Sequence, residues 1–280
     1  MALGILLAGG LAGCTGRPKP SVRRLGDISR EQAAYGQWLM EAPTSPMRAV
    51  ALVRGPGPFT VGPDEADVPL GGVPQHVLRV TRGGFDLEGP DLHRLVPRQV
   101  PVKLADFTIV VGGTPGHEVV TIFGEATAGR EPPGFYPVDT ALAFEVTLDR
   151  TPPSPVSMLA LDGVEVKATR VGTVAVPVGD DGTSLEVRAV PNPATEESDL
   201  EIYFRDSTNG RGTYPAGRFV ALIPLGEGRY HLDFNRSRNP FCAYSTVYPC
   251  PVPWRGNTIG APVAAGERYH GPDDVVAREG

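Results

Sequence analysis

Between residues 48 and 234, apolar and polar positions alternate over short runs and seldom recur every third or fourth residue. The stretches 48–54 (RAVALVR), 58–62 (PFTVG), 76–82 (HVLRVTR), 107–112 (FTIVVG), 118–126 (EVVTIFGEA) and 142–149 (LAFEVTLD) are β-branched or aromatic and bounded by Gly, Pro or Asp. The same pattern continues at 157–163, 164–179, 184–190, 199–204, 218–225 and 229–234. Period two puts successive side chains on opposite faces of a strand, and many such runs separated by turn residues predict a sandwich or barrel. VGDDGTS at 178–184 and Gly226-Glu227-Gly228 predict two hairpin turns. The expected fold is mostly β, an antiparallel sandwich or barrel.

Helical periodicity is confined to SREQAAYGQWLME at 29–41. Ser29 and Gln32 have the spacing of a capping box, Ile28 sits where a hydrophobic staple would, and Pro43 ends the run. Gly36 weakens the helix from inside. One short N-terminal helix is therefore expected.

Composition agrees with a turn-rich chain: 35 Gly and 30 Pro in 280 residues. A chain of this length buries roughly 75% of its extended surface on folding, so core formation is no obstacle. Net charge is -6, and basic residues nowhere interleave with aromatics along a phosphate-binding stretch, so nucleic acid is not an expected partner. All five Asn lie between 192 and 257.

Residues 2–13, ALGILLAGGLAG, form an apolar run ending at Cys14. Twelve residues rise only about 18 Å as a helix, too short for a hydrocarbon core of roughly 30 Å. The run suits a signal peptide at 1–13, and Leu11-Ala12-Gly13-Cys14 resembles a bacterial lipobox, although no Lys or Arg precedes it. The resemblance implies lipidation of Cys14, a lipid bilayer as partner and an extracytoplasmic, membrane-anchored lipoprotein of the cell envelope. Residues 14–27 then read as a tether, with Arg17, Lys19, Arg23 and Arg24 preceding the first acid. Beyond it, 28–112 reads as a short helix plus a small β region, 113–270 as the main β domain, and 271–280 as a disordered tail.

Within 48–88, Phe59-Thr60-Val61-Gly62, Asp67-Val68-Pro69-Leu70 and His76-Val77-Leu78 resemble a forkhead-associated domain in their spacing. Its phosphothreonine readers are missing: Pro63 replaces the Arg, Val73 the Ser, and no Asn occurs before 192. A scaffold with a structural His76 is expected there.

FYPVDTALAFEVTL, FRDSTNGRGTYPAGRFV and LDFNRSRNPFCAYSTVYPCPVPWRGNTIGAPVAAGE resemble the bacterial family known as domain of unknown function 1684, best over about 110–269. The resemblance points to Asp206, Thr208, Gly210, Thr213, Tyr214, Gly217 and Arg218 in one motif. In the other it points to Asp233, Asn235, Asn239, Pro240, Cys242, Cys250, Asn257 and Glu267. Phe241 stands in place of the motif's second Pro, and Arg255-Gly256-Asn257-Thr258 in place of Pro-Glu-Asn-Arg. The resemblance implies no activity.

Several chemistries are excluded. The chain has neither G-x-x-x-x-G-K-[ST] nor G-x-S-x-G, and His117-Glu118 is followed by Thr121 where H-E-x-x-H requires His. A zinc site wants at least three N or S ligands, and C-x7-C is not its usual spacing. His231, the one residue that could join Cys242 and Cys250, reads as a structural strand histidine, so no metal and no cofactor is expected. With Cys14 taken by lipid, the remaining two cysteines pair in an oxidising compartment, and a disulfide is expected. In RYHLDFN, period two sets His231, Asp233 and Asn235 opposite Tyr230, Leu232 and Phe234.

Three readings of the motif residues stay open. Asp206, Tyr214, Arg218, Asp233, Asn235, Asn239 and Asn257 converge on a cleft for a sugar-like or peptide-like ligand, their amides and hydroxyls suiting recognition more than cleavage. Alternatively, Asp206 and Asp233 form the acid and base of a hydrolase, which places their carboxyls about 5 to 10 Å apart across a cleft. In the third, they hold together a purely structural envelope protein.

Overall fold

The structure, a computed structural model, describes residues 27–81, 83–114, 116–125, 131–192 and 197–269. The expected signal peptide, Cys14, the tether through residue 26 and the tail at 271–280 lie outside them. Among the described residues no helix is long and apolar enough to cross a membrane.

Helix α1 (Ile28–Glu41) lies where periodicity placed it, and Ala42 closes it by donating to Trp38 O at 3.0 Å. Its cap is not Ser29. Asp27 accepts from Arg30 N at 2.9 Å, because a carboxylate both receives that free N–H and complements the helix dipole. Gln32 is thereby released for a tertiary contact described below.

Nine strands follow. These are β1 (Ala49–Gly55), β2 (Phe59–Gly62), β3 (Val68–Pro69), β4 (His76–Val80), β5 (Gly84–Gly89), β6 (Leu92–Pro97), β7 (Val102–Leu104), β8 (Phe107–Thr114) and β9 (His117–Phe123). They form a sheet of order β1-β9-β8-β7 and another of order β3-β2-β4-β5-β6. Val61, Leu78, Phe85, Leu87, Val111, Val120 and Ile122 fill the core between them. Strands β8 and β9 pair from Thr108–Phe123 to Thr114–His117, so this unit runs to Phe123. The boundary expected at 112 falls inside β8, and cutting there would separate a hydrogen-bonded hairpin. His76 is buried, its Nδ1 2.6 Å from Pro74 O.

The second unit contains β10 (Ala143–Thr147), β11 (Asp149–Leu159), β12 (Glu165–Val176), β13 (Thr183–Pro191), β14 (Ser198–Asp206), β15 (Arg218–Gly226), β16 (Arg229–Asp233) and β17 (Thr258–Ile259). Seven run antiparallel in the order β10-β16-β15-β14-β13-β12-β11, and β17 adds to β14 in parallel. Only Leu148 separates β10 from β11, although they lie at opposite ends of this path. The sheet is therefore strongly curled around Val146, Leu148, Val174, Leu185, Phe204, Leu222, Leu232 and Phe234, yet no ladder joins β10 to β11 and the barrel stays open. Both expected hairpins form; at the second, Gly226, Glu227 and Gly228 all have positive φ.

Candidate functional site

The motif residues are assembled by the two ends of the β14–β15 hairpin and by the strand-poor segment after β16. At the end of β14, Asp206 Oδ1 accepts from Thr208 N at 2.8 Å, from Thr208 Oγ1 and from Val263 N at 3.1 Å. Its Oδ2 accepts from Arg218 Nη2 at 2.9 Å across the hairpin base. Thr208 Oγ1 lies 2.8 Å from Thr213 Oγ1, completing the loop. Gly217 (φ 112°) is required here, since a Cβ would come within 2.6 Å of Phe204 O.

Arg218 is fully buried and grips the returning chain. Nη2 donates to Val263 O at 2.8 Å, and Nη1 donates to Ala265 O and, at 3.4 Å, to Glu267 O. Burial lowers its pKa, and Asp206 is the main influence raising it back. Segment 263–267 has no strand of its own, so the guanidinium supplies donors that a neighbouring strand would otherwise provide.

Asn257 does similar work inside the sheet. Pairing of β13 with β14 stops at Arg188–Glu201, where Glu186 and Tyr203 would continue it. The Asn257 amide fills that gap: Oδ1 accepts from Glu186 N at 2.8 Å, and Nδ2 donates to Glu186 O and Tyr203 O, both at 3.0 Å. One side-chain amide thus stands in for a peptide group, and β17 then enters beside β14.

Past β16, Asp233 Oδ1 accepts from Asn235 N at 3.0 Å and Asn235 Nδ2 at 2.8 Å, capping the 3-10 turn Phe234–Arg236. Asp233 Oδ2 accepts from Arg236 Nη1 at 2.5 Å, and His231 Nε2 lies 3.5 Å away. The polar face carrying Asp233 and Asn235, with cleft lining among its expected roles, is buried beneath α1 and residue 139. Gln32 Nε2 donates to Asn235 O at 3.0 Å, and Arg236 Nε donates to Glu31 at 2.8 Å. Asn235 Oδ1 accepts from Asp139 N and its Nδ2 donates to Asp139 O. Asn239 N donates to Glu267 Oε2 at 2.8 Å, while its Nδ2 donates to Arg268 O.

The expected cleft is therefore absent as such. Asp206, Tyr214, Arg218, Asp233, Asn235, Asn239 and Asn257 are all buried, with relative exposures of 0–6%. They divide among the hairpin base (Asp206, Arg218), the β13–β14 gap (Asn257), the α1 contact (Asp233, Asn235), the 267–268 segment (Asn239) and the disulfide (Tyr214). The physical reason is that backbone groups without ladder partners, in the strand-poor segment and at Asp139, Glu186 and Tyr203, are served by Asp206, Arg218, Asp233, Asn235, Asn239 and Asn257. Neither Asp206 nor Asp233 offers its carboxylate to solvent, which removes the exposed pair a hydrolase would use.

Sequence motifs place the chain as well as hold it together. The model of the family described as "Protein of unknown function (DUF1684)" matches residues 133–268. The chain belongs to the DUF1684 family. Among solved structures, an uncharacterized protein of Haloarcula marismortui determined by solution NMR is 33% identical, covering 49% of this chain and 76% of that one, with a TM-score of 0.41. No curated protein matches the chain.

Among the described residues, a concave surface lies where α1, outside the matched DUF1684 segment, meets the start of that segment. A groove of about 460 Å³ runs between Ala33, Gly36 and Met40 on the helix and Pro132, Pro133 and Phe135 opposite. Ser29, Gln32, Gln37 and Glu41 give it a polar rim. Both walls are held by motif residues. Asn235 and Arg236 hold the helix, and the other wall pairs with 266–268: Tyr136 N donates to Gly266 O, Arg268 N donates to Gly134 O, and Phe135 bridges Glu267.

Glu267 and Tyr244 carry more of this than the residue pattern suggests. Glu267 is fully buried and accepts from Asn239 N and from Tyr244 Oη. Burial pushes its carboxyl up to about 7, against the opposing effects of Tyr244, Asn239, Arg238 and Arg218. The motif points to Glu267, but nothing in its local sequence, AAGERY, marks a carboxylate sealed from water.

Cys242 and Cys250 form a disulfide, with Cα atoms 5.5 Å apart. Tyr214 Oη lies 3.3 Å from Cys242 Sγ and 3.0 Å from Cys250 Sγ. Among the described residues, Asp86, Glu88 and His93 bring ligand atoms within 4.8 Å of one another on the β5–β6 hairpin. There His93 Nε2 is 2.8 Å from Asp86, and the Arg79 guanidinium lies 3.4 Å from Glu88. The three are an exposed charge network, with a cation already present.

Proposed function

We propose that this protein is an extracytoplasmic lipoprotein, anchored through Cys14, that binds a peptide-like ligand in the groove between α1 and residues 132–135, at the edge of its DUF1684 segment. One observation carries the reading: among the buried motif residues, Asn235 and Glu267, together with Arg236, hold the two walls of that groove. Asn235 and Arg236 brace the helix, and segment 266–268 braces the opposite wall. Such bracing is how a recognition surface is kept in shape before its ligand arrives. The apolar floor of Ala33, Met40, Pro132, Pro133 and Phe135, bordered by amide and hydroxyl groups, favours a peptide segment. A sugar would more often find several aromatic rings, and the floor has one.

The anchor and compartment rest on the lipobox-like Leu11-Ala12-Gly13-Cys14 and on the disulfide, which suits an oxidising environment. Labelled palmitate should enter the wild-type chain and not Cys14→Ala.

The ligand reading is tested with ¹⁵N-labelled Cys14→Ser protein titrated separately with a peptidoglycan stem pentapeptide and with an N-acetylglucosamine tetramer. Expected are amide shifts confined to 29–41 and 132–136 with the peptide, abolished by filling the groove with Gly36→Trp. Shifts with the sugar alone would reverse the ligand class, and silence with both probes would leave the structural reading.

A further inference from the structure

The outer face of the β1-β9-β8-β7 sheet rests on the DUF1684 domain, and the disulfide loop lies in that seam. Ala51 and Val53 of β1 face the core of their own unit, whereas Ala49, Leu52, Val110 and Phe123 pack with Tyr214, Cys242, Tyr248 and Val247. Strand β1 is an edge strand, and two polar contacts reach it from the other unit. Ser245 Oγ, inside the disulfide loop, donates to Ala49 O at 3.0 Å. Arg54 Nη2 donates to Gly163 O, in the β11–β12 turn. Gly163 in turn abuts Pro249, next to Cys250: a Cβ there would lie 2.9 Å from Pro249. One point of attachment is therefore made by the disulfide loop itself, and the other adjoins it at Pro249.

We propose that the Cys242–Cys250 disulfide is a redox-sensitive latch that holds the N-terminal β unit against the DUF1684 domain. Closed, it fixes Ser245, Val247 and Tyr248 against β1. Opened by a dithiol reductant, it frees the loop and loosens the seam while both cores stay folded.

The chemistry is set by which sulfur can be reached. Cys242 is buried, whereas Cys250 is only partly so. A thiolate of the dithiol attacks Cys250 Sγ, forming a mixed disulfide as the Cys242–Cys250 bond breaks, and the electron pair leaves on Cys242 Sγ. Tyr214 Oη, 3.3 Å away, stabilises that leaving thiolate by donating a hydrogen bond, and a proton from water then makes it a thiol. The second thiolate of the reductant attacks the reductant's sulfur in the mixed disulfide, closing the reductant's own disulfide, and the electron pair leaves on Cys250 Sγ, which takes a proton from water to become a thiol. Two electrons pass from the dithiol, which ends oxidised, to the protein. The reduced loop of nine residues is no longer closed on itself, so ordering Ser245 and Tyr248 at the seam costs more chain entropy.

The test is hydrogen exchange of the whole chain, oxidised, reduced with dithiothreitol, and reoxidised, with thiol counting at each stage. The latch predicts that peptides covering 49–55 and 160–164 exchange at least tenfold faster on reduction and recover on reoxidation, while 199–206 and 218–225 are unchanged. Acceleration confined to 241–250 would make the disulfide a local staple only and overturn the proposal. Equal acceleration everywhere would overturn it too, because a latch leaves both cores intact. In oxidised protein, Ser245→Ala combined with Tyr248→Ala should reproduce the 49–55 effect without touching the cysteines; no effect there counts against it.

Discussion

Arg218 and Asp206 meet at 2.9 Å with both side chains wholly removed from solvent, and the same guanidinium holds the carbonyls of Val263, Ala265 and Glu267. One cation thus ties the β14–β15 hairpin to the chain that returns over it. Removing either charge leaves the other buried and unpaired, so Arg218→Met or Asp206→Ala should each cost about 3–5 kcal/mol in urea unfolding. The double variant should cost clearly less than the two combined, because neither charge then remains. Arg218→Lys should recover little, since a single ammonium cannot reproduce the fork.

Asn257 mimics a peptide group between β13 and β14. Asn257→Ala removes partners from Glu186 N, Glu186 O and Tyr203 O, with an expected loss of about 3 kcal/mol. Asn257→Asp keeps the acceptor for Glu186 N but turns its oxygens on two carbonyls, so it should be no better. Urea midpoints check both, with amide exchange at Glu186 as the local readout.

Glu267 should make stability fall as pH rises. Its folded-state carboxyl titrates at about 7 and its unfolded-state carboxyl near 4.5, so between those values the folded chain holds the proton that the unfolded chain has lost. The group leaves stability untouched below pH 4.5 and reduces it by up to about 3 kcal/mol above pH 7. Other carboxylates also titrate, so the measurement is the difference between wild type and Glu267→Gln from pH 4 to 8. That difference should shift in favour of Gln across this window; a flat difference would contradict the assignment.

Gly36 is helical yet sits on the groove wall, where an added Cβ would meet Pro132 Cβ at 3.6 Å, an ordinary contact. Gly36→Ala should therefore stabilise the protein by roughly 0.5–1 kcal/mol, chiefly by restricting the unfolded chain. Thermal melts check this, and exchange at 28–41 should slow. If the groove is the ligand site, this small filling should weaken peptide binding and the larger Gly36→Trp should abolish it.

Much of the β architecture was legible because alternation is a local property. Strands β1, β4, β8, β9, β12 to β16 and both glycine-rich hairpins follow from residue pattern alone. Strands β5 and β6 were missed because Gly-Phe-Asp-Leu-Glu-Gly and Leu-His-Arg-Leu-Val-Pro carry too many polar and turn residues. The first half of β11, Asp149 to Val156, was missed because Pro152, Pro153 and Pro155 argue against a strand. Prolines are tolerated there because β11 is an edge.

Sequence by itself determined the fold class, the single helix, the family motifs and the pairing of the two late cysteines, all carried by periodicity, turn chemistry and residue identity. It also singled out the polar motif residues, but residue types alone do not distinguish a carboxylate that faces a ligand from one that serves a neighbouring backbone. Only the tertiary structure decided that. The chain after β16 returns over its own sheet with few strands, so its peptide groups need partners, and Asp206, Arg218, Asn239 and Glu267 supply them, while Asn235 and Asn257 in return serve Asp139, Glu186 and Tyr203. Burial then follows from hydrogen-bond demand summed over contacts that these side chains make up to 96 residues away, which no local window contains.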